Sequence, residues 1–302
     1  MIHKFYSNGK LLLSGEYAVL DGALSWAIPT KFGQYLEVTA INNNQISWKS
    51  IDEKSALWFE ATYHLNTLEV IQTTDQETSK TLQNILQQSQ KLNPDFLSNS
   101  KGAQVKTTLT FPKNWGLGSS STLINNIAEW ASVNPFKLLE STFGGSGYDI
   151  ACASNNTPIL FQIQDNTAEV TAVPNEIPFA DHLYFVYLNQ KKNSRDAISA
   201  YRKADFDKSE LVSNITEITR NFVKATTLSE FETLIIKHES SISKALDIPT
   251  VKADLFSDFT GEVKSLGGWG GDFVLATGNA ETPDYFKSRG YETIIPFRSM
   301  IL

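Results

Sequence analysis

Several things are scarce in this chain, and each shortage excludes something. Among 302 residues there is one cysteine, Cys152, so an internal disulfide is impossible and a disulfide-stapled secreted scaffold is ruled out. A lone thiol of this kind reads as a small buried hydrophobe. Histidine is nearly as rare: His3, His64, His182 and His238 stand in four unrelated contexts and give no zinc-ligand spacing. Positive charge is short too, with 26 Lys and Arg against 33 Asp and Glu and a net charge of -7. Duplex binding draws on basic contacts to many phosphates, so no nucleic-acid partner is expected. Nowhere do about eighteen apolar residues run together, and the opening MIHKFYSNGKLLLSGEY lacks a signal-type apolar stretch. The expected setting is the cytoplasm, away from membranes.

What is present is the composition of a folded chain, 41% hydrophobic and 11% aromatic, long enough to bury a core without staples. No repeat or low-complexity linker separates its halves. The alternation in FGQYLEVTA, residues 32–40, predicts a half-buried strand. Leu82, Ile85, Leu86 and Ser89 share one face at helical spacing, and Pro94 follows as a stop signal. Val105, Thr107, Leu109 and Phe111 alternate up to Pro112, and Leu123, Ile124, Ile127, Ala128 and Ala131 recur as one buried helical face. A strand, a loop and a helix therefore meet at FPKNWGLGSSSTLINNIAEW, residues 111–130.

That joint has the chemistry of an anion grip. The first turn of a helix leaves amides unpaired at the positive end of its dipole. Gly116 and Gly118 allow positive φ and let backbone approach a phosphate, while Ser119, Ser120 and Ser121 bring hydroxyls that cap the helix, contact phosphate or coordinate Mg²⁺. It is not a Walker A loop, since no Gly-Lys-Ser/Thr follows. Read alone, a glycine-serine turn capping a helix explains the segment as well as a nucleotide site does. For an anionic substrate, the cluster of Lys191, Lys192 and Arg195 is the local cationic candidate within an acidic chain. Trp26, Trp48, Trp58, Trp115 and Trp130 read as core or adenine-pocket packing, with Trp115 adjoining the glycine loop.

Three segments in order carry a family resemblance: GKLLLSGEYAVLDGA (9–23), PKNWGLGSSST (112–122) with GGSGYDIACA (144–153), and KSLGGWGGDFVLA (264–276). In order and spacing they resemble the three motifs of the GHMP kinase superfamily, over nearly the whole chain. GEYAVLDG and the closing GGD look more like phosphomevalonate kinases than mevalonate kinases. The resemblance implies an α+β fold of two domains, a ribosomal protein S5 domain 2-like N-terminal one over 1–170 and a ferredoxin-like C-terminal one over 171–302. It implies ATP and Mg²⁺ as cofactors, and phosphomevalonate or mevalonate as a small anionic acceptor. The alternatives within the fold are a diphosphomevalonate decarboxylase, a homoserine or sugar kinase, and a catalytically silent metabolite binder. Oligomeric state stays open, a homodimer included.

Carried over residue by residue, the resemblance makes Asp149 the catalytic base and Lys10 the cation that keeps it ionised and neutralises the transferring phosphoryl group. Gly116, Leu117, Gly118, Ser119, Ser120 and Ser121 form the expected nucleotide loop. Ser120 and Glu140 are the expected Mg²⁺ ligands, although Glu140 sits closer in sequence to Asp149 than the family spacing suggests. Glu16, Ser146, Gly147, Gly268, Gly270, Gly271, Lys192 and Arg195 are the expected substrate contacts. Two departures stand out: Ser121 and Thr122 where relatives carry alanines, and Trp269 where the third motif has glycine, so that an indole either crowds the phosphate loop or turns away from it.

Overall fold

The computed structural model describes residues 2–174, 176–190, 194–267, 269 and 271–302, with backbone alone for 194–197. The chain divides into two compact units: Met1–Gly9, Phe32–Lys113 and Leu117–Ser154 form the first, and Lys10–Lys31, Asn114–Gly116 and Asn155–Leu302 the second.

The first unit is a mixed sheet covered by helices. Its strands are the start of β1 (Ile2–Ser14), the end of β2 (Ser25–Ala40), β3 (Gln45–Ile51), β4 (Leu57–His64), β5 (Val70–Thr73) and β6 (Ala103–Leu109). They run in the order β5-β4-β3-β6-β2, with β3 and β6 parallel and the other neighbours antiparallel. The alternation expected around Val105 is present: Ala103, Val105, Thr107 and Leu109 are buried and the residues between them are not. Helices α1 (Gln76–Leu92) and α2 (Ser119–Ala131) press Leu82, Ile85, Leu86, Ile124, Ile127 and Ala128 into one core with Leu36, Val38, Trp48 and Phe59. Asp75 caps α1 by accepting the Thr78 amide at 2.6 Å, which fixes where the helix begins. Helix α2 also buries polar side chains that find partners: Asn126 donates to the Gln34 carbonyl at 2.9 Å and accepts from the Ser7 hydroxyl at 2.8 Å, and the Thr122 hydroxyl donates to the Gln34 side chain at 2.9 Å. Such bonds fix the rotation of α2 about its axis, because an unanswered buried amide costs free energy. Short helices α3 (Pro135–Glu140) and α4 (Tyr148–Ala153) complete the unit, and Cys152 is buried in α4.

The second unit carries the other ends of β1 and β2. There β2 pairs with β7 (Ile159–Gln164), which forms an antiparallel hairpin with β8 (Thr167–Ala172). Beyond β9 (Leu183–Tyr187) come α5 (Ser194–Lys203), α6 (Lys208–Phe222), α7 (Leu228–Leu246), α8 (Val251–Leu255), β10 (Val263–Ser265), β11 (Phe273–Thr277), α9 (Thr282–Lys287), β12 (Ile294–Pro296) and α10 (Phe297–Met300). The last four strands form an antiparallel sheet ordered β10-β11-β9-β12. Numbered from β9 and read from the far edge, that order is 4-1-3-2, with helices after the first and third strands, the ferredoxin-like arrangement. Strands β9 and β11 are buried along their full length because they are central, and they read as continuous apolar runs for that reason.

Candidate active site

In the first unit the glycine loop enters α2 through Gly118, whose φ of 87° is left-handed and whose missing side chain leaves the helix without a side-chain cap. The hydroxyl of Ser121 turns back to the Gly118 carbonyl at 2.9 Å, and the Thr122 hydroxyl shares its proton between Gln34 and the Ser119 carbonyl, the latter at 3.0 Å. The two residues that depart from the family pattern thus serve the helix start. Leu117 is buried. Ser119 and Ser120 border a cavity of about 240 Å³ whose walls include Trp48, Trp58, Phe59 and Leu123. The ammonium of Lys113, another lining residue, lies 3.3 Å from the centroid of the Trp58 ring, a cation on a π face. Helix dipole, unpaired-amide geometry and an adjoining aromatic slot with a cation suit a phosphorylated heteroaromatic ligand.

The Ser-Gly-x-Asp segment lies in the same unit. Gly147, φ 88°, precedes α4, and a Cβ there would sit 3.1 Å from the Phe136 ring. The Asp149 carboxylate, half-buried in the first turn of α4, accepts the Ile150 amide at 3.0 Å. Ser146 is half-buried on the approach to that helix, and Glu140 is exposed at the end of α3.

The second unit holds the rest of the motifs. The Lys10 ammonium donates to the Gly116 carbonyl at 3.1 Å, which ties the first-motif lysine to the second-motif loop. Gly116 has φ 67°, and a Cβ there would run into the Asp272 carboxylate. Only glycine fits, on both counts. Asp272 closes the third motif, its amide donating to the Gln190 carbonyl at 2.7 Å. The Trp269 indole turns toward the body of the unit: its Nε1 donates to the Pro249 carbonyl at 2.9 Å and its ring packs on the core around Phe256 and Phe286. Its amide donates to the Tyr17 hydroxyl at 2.9 Å. Tyr17 has φ 61°, a conformation that a bulky residue holds only where its surroundings over-determine it. Gly271 directly precedes Asp272; Gly268, Gly270 and Lys192 lie outside the described residues, and Arg195 falls in the first turn of α5, where only backbone is described.

Glu16, expected as a substrate contact, is buried, with Lys264 Nζ at 2.6 Å on Oε1 and His238 Nε2 at 3.0 Å on Oε2. Lys264 also reaches Glu239 at 3.4 Å and donates to the Ser265 carbonyl at 3.0 Å, and Glu239 accepts the Ser265 amide at 3.0 Å. Burial pushes the Glu16 carboxyl up, but Lys264 and His238 together pull it further the other way, to about 2. The cluster links the first motif, α7 and the strand that leads into the third motif. Nothing in the sequence marked Lys264 and His238 as partners of Glu16, because 248 residues separate the first pair. Of the two readings of the tryptophans, core or pocket packing, Trp115 takes the first: it packs edge-on against Phe273 in the second unit, ring centroids 5.4 Å apart, and the tryptophans of the cavity are Trp48 and Trp58.

Among the described residues no helix is long and apolar enough to cross a membrane, and no group of three His, Cys, Asp or Glu side chains is placed to hold a metal ion. A divalent cation here would depend on phosphate oxygens, water and one or two protein oxygens, which is the habit of Mg²⁺.

No protein-family model matches the chain, and no curated protein sequence matches it. Solved structures do. The mevalonate kinase of Methanococcus jannaschii superposes with a TM-score of 0.71 at 16% identity, over 97% of this chain and 96% of that one. The Streptococcus pneumoniae phosphomevalonate kinase, in complex with phosphomevalonate and AMPPNP, gives 0.70 at 14% identity over 95% of each chain. The Lactococcus lactis galactokinase complexed with galactose gives 0.71 at 13% identity, over 98% of this chain and 94% of that one. With a ferredoxin-like sheet, a glycine loop opening α2, and near end-to-end superposition on mevalonate, phosphomevalonate and galactose kinases, this chain has the two-domain fold of the GHMP kinases.

Proposed function

We propose that the protein is an ATP-dependent small-molecule kinase of the GHMP type, acting on an isoprenoid precursor with phosphomevalonate ahead of mevalonate. The observation that carries the reading is the aromatic cavity of about 240 Å³ that adjoins Ser119 and Ser120 at the uncapped start of α2. A ring and its phosphates need that pairing of slot and helix terminus. The S. pneumoniae neighbour that holds phosphomevalonate and AMPPNP supports the choice of ligands.

Bound Mg-ATP supplies the transferring phosphoryl group and a neutralising cation. The amides of Gly118 to Ser121 hold phosphate oxygens, and the hydroxyl of Ser120, with the Glu140 carboxylate, supplies protein oxygens to the cation. Asp149 orients the acceptor oxygen and takes its proton where it carries one. Lys10 neutralises charge on the transferring group, and Ser146, Gly147, Lys192, Arg195 and the third-motif glycines Gly268, Gly270 and Gly271 contact the acceptor. Positioning and charge neutralisation provide most of the acceleration in such reactions, so the base is the sharpest single test.

The test is ADP release with Mg-ATP, offering phosphomevalonate, mevalonate, homoserine and galactose in parallel. Turnover on phosphomevalonate is expected, and Asp149→Asn should lower kcat by about 10²- to 10⁴-fold with its far-ultraviolet dichroism unchanged. An Asp149→Asn protein with wild-type turnover would refute the assignment of the base.

A further inference from the structure

The floor of the cavity in the first unit holds a hydroxyl whose hydrogen-bonding capacity is fixed on one side and open on the other. Ser50 is 4% exposed and lines the cavity with Trp48 and Thr107. Its Oγ accepts the Trp48 indole N–H at 3.1 Å and the Thr107 hydroxyl at 3.0 Å. A serine hydroxyl has two acceptor lone pairs and one proton, so both lone pairs are occupied and Ser50 remains a donor only. No acceptor for that proton lies within reach among the described residues. The proton of Ser50 therefore faces the slot it lines, where Trp58 Nε1 is a second, buried donor with no partner among the described residues; a buried donor left unanswered is costly.

We propose that Ser50 is the residue through which this cavity reads a nucleotide base, donating its hydroxyl proton to an in-plane ring nitrogen of a purine. The proposal rests on the kinase reading above and adds the specificity element to it. The slot favours a flat heteroaromatic ring on three grounds. Trp48, Trp58 and Phe59 are among its walls, about 240 Å³ is smaller than the roughly 300–1,000 Å³ that encloses a whole drug-sized ligand, and the Ser50 hydroxyl and Trp58 Nε1 are donors on its lining that call for acceptors. Exocyclic amino groups are excluded at that point, because two donors would face each other. Trp48 and Thr107 act through Ser50 as positioning residues, since their bonds hold its proton in the cavity.

The experiment measures the dissociation constants of ATP and of its 1-deaza, 3-deaza and 7-deaza analogues, each with Mg²⁺, by titration calorimetry on the full chain. Each analogue replaces one ring nitrogen by C–H. One of the three is expected to bind roughly ten-fold more weakly than ATP, the worth of one buried hydrogen bond left unmade, and the other two close to ATP. In Ser50→Ala, and in Ser50→Cys, which keeps the volume and weakens the donor, that one analogue should draw level with ATP. Equal binding of all four nucleotides by the wild-type protein would overturn the proposal whatever the variants do, as would discrimination that persists in both variants. If ATP itself does not bind, the kinase reading falls together with the proposal; if ATP binds without discrimination, the proposal alone falls.

Discussion

Replacing Lys264 by methionine removes one charge from a cluster that has no access to water, and the size of the effect can be worked out beforehand. The Lys264 side chain is 1% exposed and meets Glu16 at 2.6 Å and Glu239 at 3.4 Å. Without it, two buried carboxylates are left with the His238 ring as their remaining side-chain neighbour in the cluster. Breaking a buried ion pair from one side costs about 3–5 kcal/mol. Lys264 and His238 together hold the Glu16 carboxyl down from 4.5 to about 2 against the opposing effect of burial, a net effect of roughly 3 kcal/mol on folding. The sign follows from a depressed folded-state value: the stabilisation is complete above about pH 4.5 and disappears as pH falls toward 2. Urea unfolding of wild type and Lys264→Met at a series of pH values from 7 to 3 reads both effects. The variant should lose about 3–5 kcal/mol at pH 7 and show a flatter decline in acid, because the charge of Lys264 is the largest single cause that lowers the Glu16 carboxyl. A loss under about 1 kcal/mol with the wild-type acid slope would refute the claim that this cluster stabilises the link between the first motif, α7 and the strand leading into the third motif.

Two further perturbations are local. Gly116→Ala sets a Cβ against the Asp272 carboxylate at a left-handed φ, so a destabilisation above about 1 kcal/mol is expected, read as a lowered thermal midpoint; an unchanged midpoint would contradict the packing of the two motif loops. In α7, Thr227 accepts the Glu230 amide at 3.3 Å within a reciprocal capping box, so Thr227→Ala should cost about 1 kcal/mol in urea unfolding, and Thr227→Ser should restore most of it.

How much of this was legible in sequence depends on how local each signal is. The face formed by Leu82, Ile85, Leu86 and Ser89 is the buried face of α1, and the run from Leu123 to Ala131 is α2, because a helical period is written in adjacent residues. The strand through Val105 and Leu109 is β6 for the same reason. The ion cluster was not legible: Glu16 and Lys264 are brought together by the pairing of distant segments, and no spacing rule spans that distance. The tryptophan beside the glycine loop, Trp115, turned out to pack on Phe273. The cavity takes Trp48 from β3 and Trp58 from β4, strands that precede the loop in sequence and reach it only through sheet order. Ser50 carried no sequence signal either, since its meaning comes from which of its lone pairs its neighbours occupy.

Cys152 has a practical consequence beyond its part in the core. It is the chain's one thiol, fully buried in α4, three positions after Asp149. A thiol reagent reaches it only in those molecules where that segment has momentarily left its seat, so the rate of labelling is a clock for local opening. Any small molecule that tightens the Asp149 segment slows the clock, which permits a search for the acceptor by labelling rate alone, before any turnover has been found.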